Sequence, residues 1–285
     1  MAQILIVRHG QTAWNAVERF RGRTEIELDE VGLKQAELTG ERVAEYPVTA
    51  LYCSPLRRAV DTAAPIARRL NIEAVPLEGI NDLDFDLLHT CRALHIGSLS
   101  LGAEPARSAT HAAVQMVRAG GGLVSFDVNY RPSLWPSAAR ALEQIRTILP
   151  RVDLIKVNEE EAQLLTGSDN PEKAGMALLQ SGPAMVILTH GARGSYFFTR
   201  ADSGFSPAFS VEAVDATGCG DSFMGGLLNR LTLQTDWHSQ LSSDTLRSAF
   251  RFASAVGALT ATRTGAIPAM PYLAEVETFL DQYIS

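Results

Sequence analysis

The chain has 285 residues, of which 46% are hydrophobic and 20% are charged, a composition typical of one large globular domain or two smaller ones. Its formal net charge of −7, without any run of Lys or Arg, argues against a nucleic-acid-binding surface. The 3 cysteines are widely spaced and form neither a disulfide framework nor a metal motif, which favours the cytoplasm. The apolar run at residues 4–7 is too short for a signal peptide, and no stretch is long enough to predict a membrane span.

The first 86 residues alternate short apolar runs with helical patterns. Arg8 and His9 directly follow one apolar run, and Arg57 and Arg58 follow the next. Because ligands bind at the carboxyl ends of strands in open α/β sheets, these side chains could form a phosphate-binding site with a nucleophile. On spacing alone, a structural histidine is the commoner alternative. The predicted elements are strands at 4–7 and 51–53, and helices at 29–46 and from residue 54 onward.

Four segments of this region carry a family pattern. They are Arg8-His9-Gly10-Gln11-Thr12, Asn15, Arg21-Gly22, and Ser54-Pro55-Leu56-Arg57-Arg58-Ala59 followed by Thr62-Ala63. The pattern resembles the histidine phosphatase (phosphoglycerate mutase-like) superfamily. The resemblance implies that His9 is the nucleophile that takes a phosphoryl group and that Arg8 and Arg58 clamp it, with Asn15 in the same site. It also implies that Asp82 is the general acid.

The phosphatase resemblance ends near Asp86 and covers only part of such an enzyme, because the glycine pattern expected there is absent. The family also needs a second histidine after a later strand, and the candidate is His190, which follows the apolar run 185–188. A phosphatase would continue with a helix, whereas residues 195–198 predict a strand. We therefore interpret His190 as a chance match.

From residue 87 onward, predicted strands alternate with predicted helices. Polar or glycine-bearing segments follow the strands, so they should lie together at one edge of a sheet. This alternation predicts an α/β fold with a doubly wound, mostly parallel sheet and helices on both faces, a Rossmann-like three-layer arrangement. The predicted strands are 93–101, 123–127, 154–157, 185–188, 195–198 and 207–214, and the predicted helices are 105–119, 137–149, 222–233 and 243–262.

Three of the strand ends carry candidate binding residues. Asp127, Asn129 and Arg131 alternate, so in an extended chain they would share a face where Arg131 could hold a phosphoryl group; a surface turn is equally compatible. Asn158 and Glu161 are three residues apart and could organise Mg²⁺ through water, although a capping box is the commoner meaning of that spacing. The third segment, Thr189-x-Gly191-x-x-Gly194, predicts a turn between two strands.

Residues 214–223 read Val-Asp-Ala-Thr-Gly-Cys-Gly-Asp-Ser-Phe, and a helical pattern follows them. Glycines at the start of a helix leave backbone N–H groups free to bind an anion, which the helix dipole also favours. An aspartate beside a phosphate site would repel the anion, so Asp221 suggests a base that deprotonates an attacking hydroxyl. The alternative is a plain helix start with the aspartate as N-cap, and physical chemistry alone weighs the two equally.

The order of these segments is similar to that of the PfkB (ribokinase-like) carbohydrate kinases, and Gly97-Ser98-Leu99 with Arg131-Pro132-Ser133-Leu134-Trp135 favours fructokinase-like members. The resemblance implies ATP-dependent phosphoryl transfer to a sugar hydroxyl. Asp221 would be the base, with an anion hole formed by Gly218, Cys219 and Gly220. It further implies Mg²⁺ near Glu161 and a monovalent cation near Asp215. The implied nucleotide-binding residues are Asn158, Thr189, Gly191, Gly194, Gly257 on the helix 243–262, and Gly265 in the loop 264–266.

The two resemblances divide the chain at residues 1–86 and 87–285, as in a chimera or fusion. The kinase part lacks the family's opening third, with its sugar-binding segment, so we expect kinase turnover to be impaired. Because no Pro/Gly/Ser-rich linker separates the parts, one continuous sheet across the junction is the more economical architecture. The expected ligands are a sugar and a nucleotide. We expect no binding to nucleic acid or to membranes, and a homodimer is one possible assembly. The alternatives are phosphoryl transfer through His9 and a non-catalytic scaffold that binds ATP or phosphate.

Overall fold

The computed structural model describes residues 7–15, 24–76, 85–233 and 236–283. By its internal contacts the chain divides into two compact units, Met1–Asp84 and Phe85–Ser285. Within the described ranges, none of the helices combines the length and the apolar character that crossing a membrane requires.

The amino-terminal unit contains a short βαβ arrangement. Helix α1 (Glu30–Val43) begins where Asp29 accepts a hydrogen bond from the Gly32 N–H, which places its start one residue inside the predicted range. Strands β1 (Leu51–Cys53) and β2 (Ala74–Pro76) pair in parallel on either side of helix α2 (Arg57–Leu70) in sequence. Helix α2 begins at Arg57, three residues later than the predicted start at residue 54. The strand predicted at 4–7 falls, except for Val7, outside the described residues.

The carboxyl-terminal unit is built on a six-stranded sheet in which the strands lie in chain order. The first four strands are parallel, and the last two are added antiparallel at one edge. Each parallel strand needs a crossover helix before the next, which the chain supplies. The strands are β3 (Ala93–Gly97), β4 (Leu123–Asp127), β5 (Leu154–Asn158), β6 (Met185–Thr189), β7 (Gly194–Thr199) and β8 (Ser203–Pro207).

Helices cover both faces of this sheet. Val124 and Phe126 point to a core shared with the first set of helices, whereas Leu123 and Leu154 point to a second core beneath the later helices. This alternation places an apolar layer on each face, and the predicted fold class is confirmed. The helices are α3 (Phe85–Thr90), α4 (Ala106–Ala119), α5 (Ala138–Ile148), α6 (Glu159–Thr166), α7 (Pro171–Gln180), α8 (Cys219–Leu231), α9 (Ser243–Ala261) and α10 (Leu273–Asp281).

Two details of the prediction are wrong in the described residues. The predicted continuous sheet is not found, because β1 pairs with β2 and the other six strands form a sheet of their own. The predicted strand at 207–214 is also absent, because the chain leaves the sheet after Pro207 and the N–H groups of Val214 and Asp215 donate to the Ala261 carbonyl instead. The preceding strand, β8, was missed because Ser203 and Gly204 interrupt its apolar pattern.

Candidate active site

The mouth of helix α8 is formed by a glycine in the left-handed conformation. Gly218, the N-cap, has φ 79°, and a Cβ there would lie 3.0 Å from both Cα and Cβ of Ala266. A side chain is thus disfavoured by backbone conformation and by the close approach of the neighbouring loop. The helix begins three residues before the predicted start, so Asp221 lies in its first turn and the N-cap alternative for this residue is wrong.

The backbone donors at this mouth are partly unused. The N–H groups of Gly218 and Gly220 have no hydrogen-bond acceptor among the described residues, while Cys219 N donates to the Ala216 carbonyl at 3.3 Å. Two of the three predicted anion-hole donors are therefore available, and the third is held in a turn. The Asp221 carboxylate is exposed beside them. This arrangement can bind an anion and present a base to it.

Asp215 joins the two loops that border the helix mouth. Its Oδ1 accepts a hydrogen bond from Thr217 N and its Oδ2 accepts one from Gly265 N, each at 2.9 Å. Hydrogen bonding by Thr217, followed by the Gly265 N–H, lowers the pKa of the Asp215 carboxyl. Gly265 has φ 96°, a backbone conformation that a side chain would strain. Asp215 thus has a structural function here, and its predicted cation-binding role remains a prediction.

Asn158 and Glu161 form a capping box at the start of α6. Asn158 Oδ1 accepts from Glu161 N at 2.8 Å, and Glu161 Oε2 accepts from Asn158 N at 2.9 Å. The other carboxylate oxygen of Glu161 accepts from Tyr130 N at 2.7 Å, which ties the loop after β4 to this helix. The capping-box alternative is confirmed. Desolvation by burial raises the pKa of the Glu161 carboxyl despite these hydrogen bonds.

Replacing Glu161 with Gln should destabilise the protein, because the amide nitrogen cannot accept one of the two backbone hydrogen bonds. We expect a loss of about 2 kcal/mol in the free energy of unfolding, the usual cost of losing a hydrogen bond to a charged side chain; the Glu161 side chain that makes it is buried. Denaturant unfolding measures this loss. The matched control is Glu160→Gln, an exposed neighbour on the same helix turn, which should change stability little. Equal stability of the two variants would contradict the assigned contacts.

The segment Asp127–Arg131 does not present its three polar side chains on one face, so the alternation prediction is wrong. Strand β4 ends at Asp127, and Asn129 adopts φ 38°, which turns the chain. Asn129 N donates to Asp127 Oδ1 at 3.2 Å, the hydrogen bond of a short turn. Arg131 is exposed, and its Nη1 donates to the Tyr130 carbonyl at 3.2 Å. The turn alternative is therefore the correct one.

Two side chains beneath the helix mouth were missed by the sequence analysis. Lys156 is buried and its Nζ lies 2.6 Å from Asp127 Oδ2. His95 lies on the same face of the sheet, with Nδ1 3.1 Å from Ser125 Oγ. Although part of the imidazole remains exposed, desolvation lowers its pKa, Lys156 adds to this effect, and Asp127 and Asp221 oppose it. The available signal was a lysine inside an apolar strand, since buried lysines are nearly always paired.

The β6–β7 hairpin carries the predicted nucleotide-binding glycines. Thr189 is the register partner of Asn158, so both side chains lie at the same edge of the sheet. Gly191 has φ 55° and open space around it, whereas a Cβ on Gly194 would lie 2.2 Å from the Ser206 carbonyl oxygen. On α9, a Cβ on Gly257 would lie 3.4 Å from the Cys219 carbonyl oxygen. Close packing thus requires glycine at position 194, whereas a side chain at position 257 would make an ordinary van der Waals contact and Gly191 faces open space.

In the amino-terminal unit, a hydrogen bond joins the segment that follows His9 to helix α2. His9 Nδ1 lies 2.7 Å from the Gly10 carbonyl oxygen. Gly10 N donates to Thr62 Oγ1 at 3.0 Å, and buried Arg58 donates from Nη1 to the Thr24 carbonyl at 2.9 Å. Arg8 is exposed. The Asn15 side chain and Asp82 lie outside the described residues.

His190 belongs to the β6–β7 hairpin of the carboxyl-terminal unit. Its Nδ1 lies 3.1 Å from Glu159 Oε1, and Glu159 also pairs with Arg193. Desolvation lowers the pKa of His190, partly opposed by Glu159. The strand predicted after it is present as β7.

Comparison with known proteins finds two families, whose matched ranges overlap at residues 71–97. Residues 4–97 match the family profile of the histidine phosphatase superfamily (branch 1), and residues 71–273 match that of the pfkB family carbohydrate kinases. Fructokinase-2 of Zea mays is 39% identical over 201 residues, which are 70% of this chain and 59% of the maize protein. The chain thus spans about 60% of the length of the curated relatives that it matches.

Two solved structures resemble the carboxyl-terminal part. A fructokinase double mutant from Vibrio cholerae, crystallised with fructose, ADP and a potassium ion, is 33% identical, with a TM-score of 0.63 and coverage of 70% of this chain and 64% of that one. Aminoimidazole riboside kinase from Salmonella enterica is 31% identical, with a TM-score of 0.60 and coverage of 66% and 62%. Because the pfkB profile covers well over half of its residues, the chain belongs to the pfkB family of carbohydrate kinases.

Proposed function

We propose that the chain transfers the γ-phosphoryl group of ATP to a hydroxyl group of fructose or a closely related sugar. The observation that carries this proposal is the mouth of α8, where Gly218 and Gly220 offer free N–H groups beside the exposed Asp221 carboxylate. The similarity to fructokinases favours a sugar acceptor of this class.

The proposed reaction assigns a separate task to each part of this site. Asp221 takes the proton as the sugar O–H bond breaks, and the sugar oxygen forms a bond to the γ-phosphorus. The bond from that phosphorus to the bridging oxygen breaks, and ADP leaves. The N–H groups of Gly218 and Gly220 stabilise the negative charge on the transferring group, which the start of the helix also favours.

The nucleotide is proposed to lie along the edge formed by the β6–β7 hairpin and the loop 264–266. Gly191 supports this position because its backbone faces open space, and Thr189 lies beside Asn158 at the same edge. The hydrogen bond from Gly265 N to Asp215 Oδ2 holds the loop 264–266 against the helix mouth. Gly194 contributes by allowing close packing against β8.

We propose that a metal ion binds together with the phosphates of the nucleotide. Among the described residues, no group of three or more His, Cys, Asp or Glu side chains could hold a metal ion. Mg²⁺ commonly binds through one or two carboxylates together with substrate phosphates and water. We propose a contact through water to the Asn158–Glu161 box, whose two carboxylate oxygens already accept backbone hydrogen bonds. Bound there, the ion would neutralise phosphate charge. A monovalent cation near Asp215 remains part of the proposal, supported by the potassium ion named for the Vibrio cholerae fructokinase.

Sugar binding is expected to be the weakest part of the proposed function. The curated fructokinases are longer than the matched part, and the family's sugar-binding segment has no counterpart among residues 1–86 in the sequence analysis. We therefore propose impaired turnover with a raised KM for the sugar. The three free cysteines support a cytoplasmic location, where thiols remain reduced.

ADP formation in the presence and absence of fructose tests the proposal. We expect ADP to form only with a sugar, together with a sugar phosphate detected by chromatography. A panel of fructose, ribose and a purine riboside identifies the acceptor class. ATP binding by calorimetry without any sugar phosphate would instead support a scaffold that binds nucleotide without turnover.

A second activity, phosphoryl transfer through His9, is favoured by one contact in the amino-terminal unit. A carbonyl oxygen can only accept, so the 2.7 Å contact to Gly10 makes Nδ1 the donor and leaves the lone pair of the neutral ring on Nε2. That nitrogen would form a bond to the phosphorus of a phosphomonoester while the bond from phosphorus to the ester oxygen breaks, and the alcohol would leave after taking up a proton. Arg8 and Arg58 would be the cationic clamp.

For this second activity we expect acid-labile labelling of the chain by a radioactive phosphomonoester, lost in His9→Ala. Asp221→Asn should keep the label, because that residue belongs to the other unit. The absence of phosphohistidine in the wild-type chain, under conditions where Asp221-dependent turnover is measured, would exclude the His9 reaction.

A further inference from the structure

The ammonium group of Lys156 lies buried directly beneath the first turn of α8. Only 8% of this residue is exposed, and Nζ contacts Asp127 Oδ2 at 2.6 Å. A Cβ built on Gly220 would lie 3.3 Å from the same nitrogen. The lysine therefore reaches from strand β5 to the backbone of the predicted anion hole.

The charges around Lys156 leave it with unused donor capacity. An ammonium group has three N–H donors, and within the described ranges Asp127 is the one hydrogen-bond acceptor of Lys156. The second oxygen of Asp127 is engaged by Asn129 N. Two donors therefore remain, next to a helix start that is itself positive.

Among the described residues, no second carboxylate pairs with Lys156. Asp221 is exposed at the helix mouth and forms no hydrogen bond or ion pair with Lys156. A buried ammonium, two unused donors and the positive helix end thus converge on the position of Gly220, and together they favour an incoming anion.

We propose that Lys156 binds the transferring phosphoryl group, moving one hydrogen bond from the Asp127 pair to a non-bridging phosphoryl oxygen. This assignment rests on the proposed kinase function and adds a residue to it. Asp127 holds the lysine in place before the nucleotide binds. The lysine adds a full positive charge to an anion hole that otherwise consists of backbone dipoles, and it stabilises the charge that develops on the phosphoryl oxygens.

The competing explanation is that Lys156 only neutralises the buried Asp127 carboxylate. The two explanations predict different results for the double variant Asp127→Asn with Lys156→Met, in which no unpaired charge is buried. If the lysine is only a counter-ion, this double variant should regain wild-type turnover. If the lysine binds the phosphoryl group, the double variant should stay as slow as Lys156→Met, and Asp127→Asn alone should be faster than either.

We expect Lys156→Met to lower kcat by about 100-fold with little change in the KM for the sugar, the effect of removing one preorganised charge-stabilising donor. Lys173→Met, on the exposed face of α7, is the matched control and should behave like wild type. Recovery of wild-type kcat in the double variant would overturn the proposal. Thermal unfolding of each variant establishes that the compared proteins are folded.

Binding measurements test the assignment of Lys156 independently of whether the chain turns over a sugar. Calorimetry compares ADP with a non-hydrolysable ATP analogue on the wild-type chain, the double variant and the Lys173→Met control. We expect the double variant to bind the analogue about 10-fold more weakly and ADP equally well, because the lysine contacts the third phosphate. Equal affinities for the analogue would overturn the lysine assignment even if turnover is seen. A lysine-dependent affinity without any sugar phosphate would support it and overturn only the proposed reaction.

Discussion

Replacing Asp221 with Asn is expected to lower kcat for phosphoryl transfer by about 1,000-fold without weakening ATP binding. The change removes the base but keeps the size and shape of the side chain, and losses of this order are typical for a general base. Because Asp221 is exposed, its replacement should not disturb the packing around α8. A coupled ADP assay under saturating ATP measures kcat, and calorimetry measures ATP affinity.

The matched control for this variant is Asp244→Asn. Asp244 is also an exposed acidic residue in the first turn of a helix, in this case α9. Both variants lose a similar favourable interaction with a helix dipole, about 0.5 kcal/mol. Only Asp221→Asn should lose turnover. Similar rates for the two variants would show that Asp221 contributes no more than any acidic residue at a helix start.

Replacing Gly218 with Ala is expected to destabilise the protein by about 2 kcal/mol and to reduce kcat/KM by at least about 100-fold. The alanine would have to hold φ near 79°, and its Cβ would lie 3.0 Å from Ala266. Relief of this contact requires the 264–266 loop or the first turn of α8 to shift, and either movement displaces the anion-binding N–H groups. Denaturant unfolding and steady-state kinetics measure the two losses.

Gly225→Ala provides the control in the same helix. Gly225 is exposed, and a Cβ there would meet no heavy atom within 4 Å. Because alanine favours the helix more than glycine does, this variant should gain up to about 1 kcal/mol in stability. Its activity should equal that of the wild type. A Gly218→Ala variant as stable and as active as Gly225→Ala would contradict the geometry assigned to the helix mouth.

The sequence predicted most strands of the sheet and half of the helices around it, because their signals are local. Apolar runs such as Leu154–Asn158 specify buried strands, and the Asn158–Glu161 spacing specifies a capping box that the structure confirms. Local patterns were insufficient where a distant contact decides the conformation. Residues 208–213 are apolar enough for a strand, yet the chain leaves the sheet there. The N–H groups of Val214 and Asp215, which follow, donate to the Ala261 carbonyl at the end of α9.

The candidate site was also predicted only in part from the sequence. The glycines and Asp221 were identified from their order, but the start of α8 was placed too late, because the left-handed Gly218 depends on the approach of the loop at Ala266. Lys156 lies within the apolar run 154–157, whose pattern predicts a strand and no function for the lysine. Its partner, Asp127, lies 29 residues earlier in sequence, so only the pairing of β4 with β5 brings the two charges together.

The most direct test of the central claim is the fate of a radiolabelled γ-phosphate from ATP incubated with fructose and the intact chain. The label is expected to appear on a sugar phosphate, slowly with the wild-type chain and not detectably with Asp221→Asn. His9→Ala should transfer the label as the wild-type chain does, because His9 belongs to the other unit. Label that appears on the sugar equally with Asp221→Asn, or that depends on His9, would contradict phosphoryl transfer at the mouth of α8.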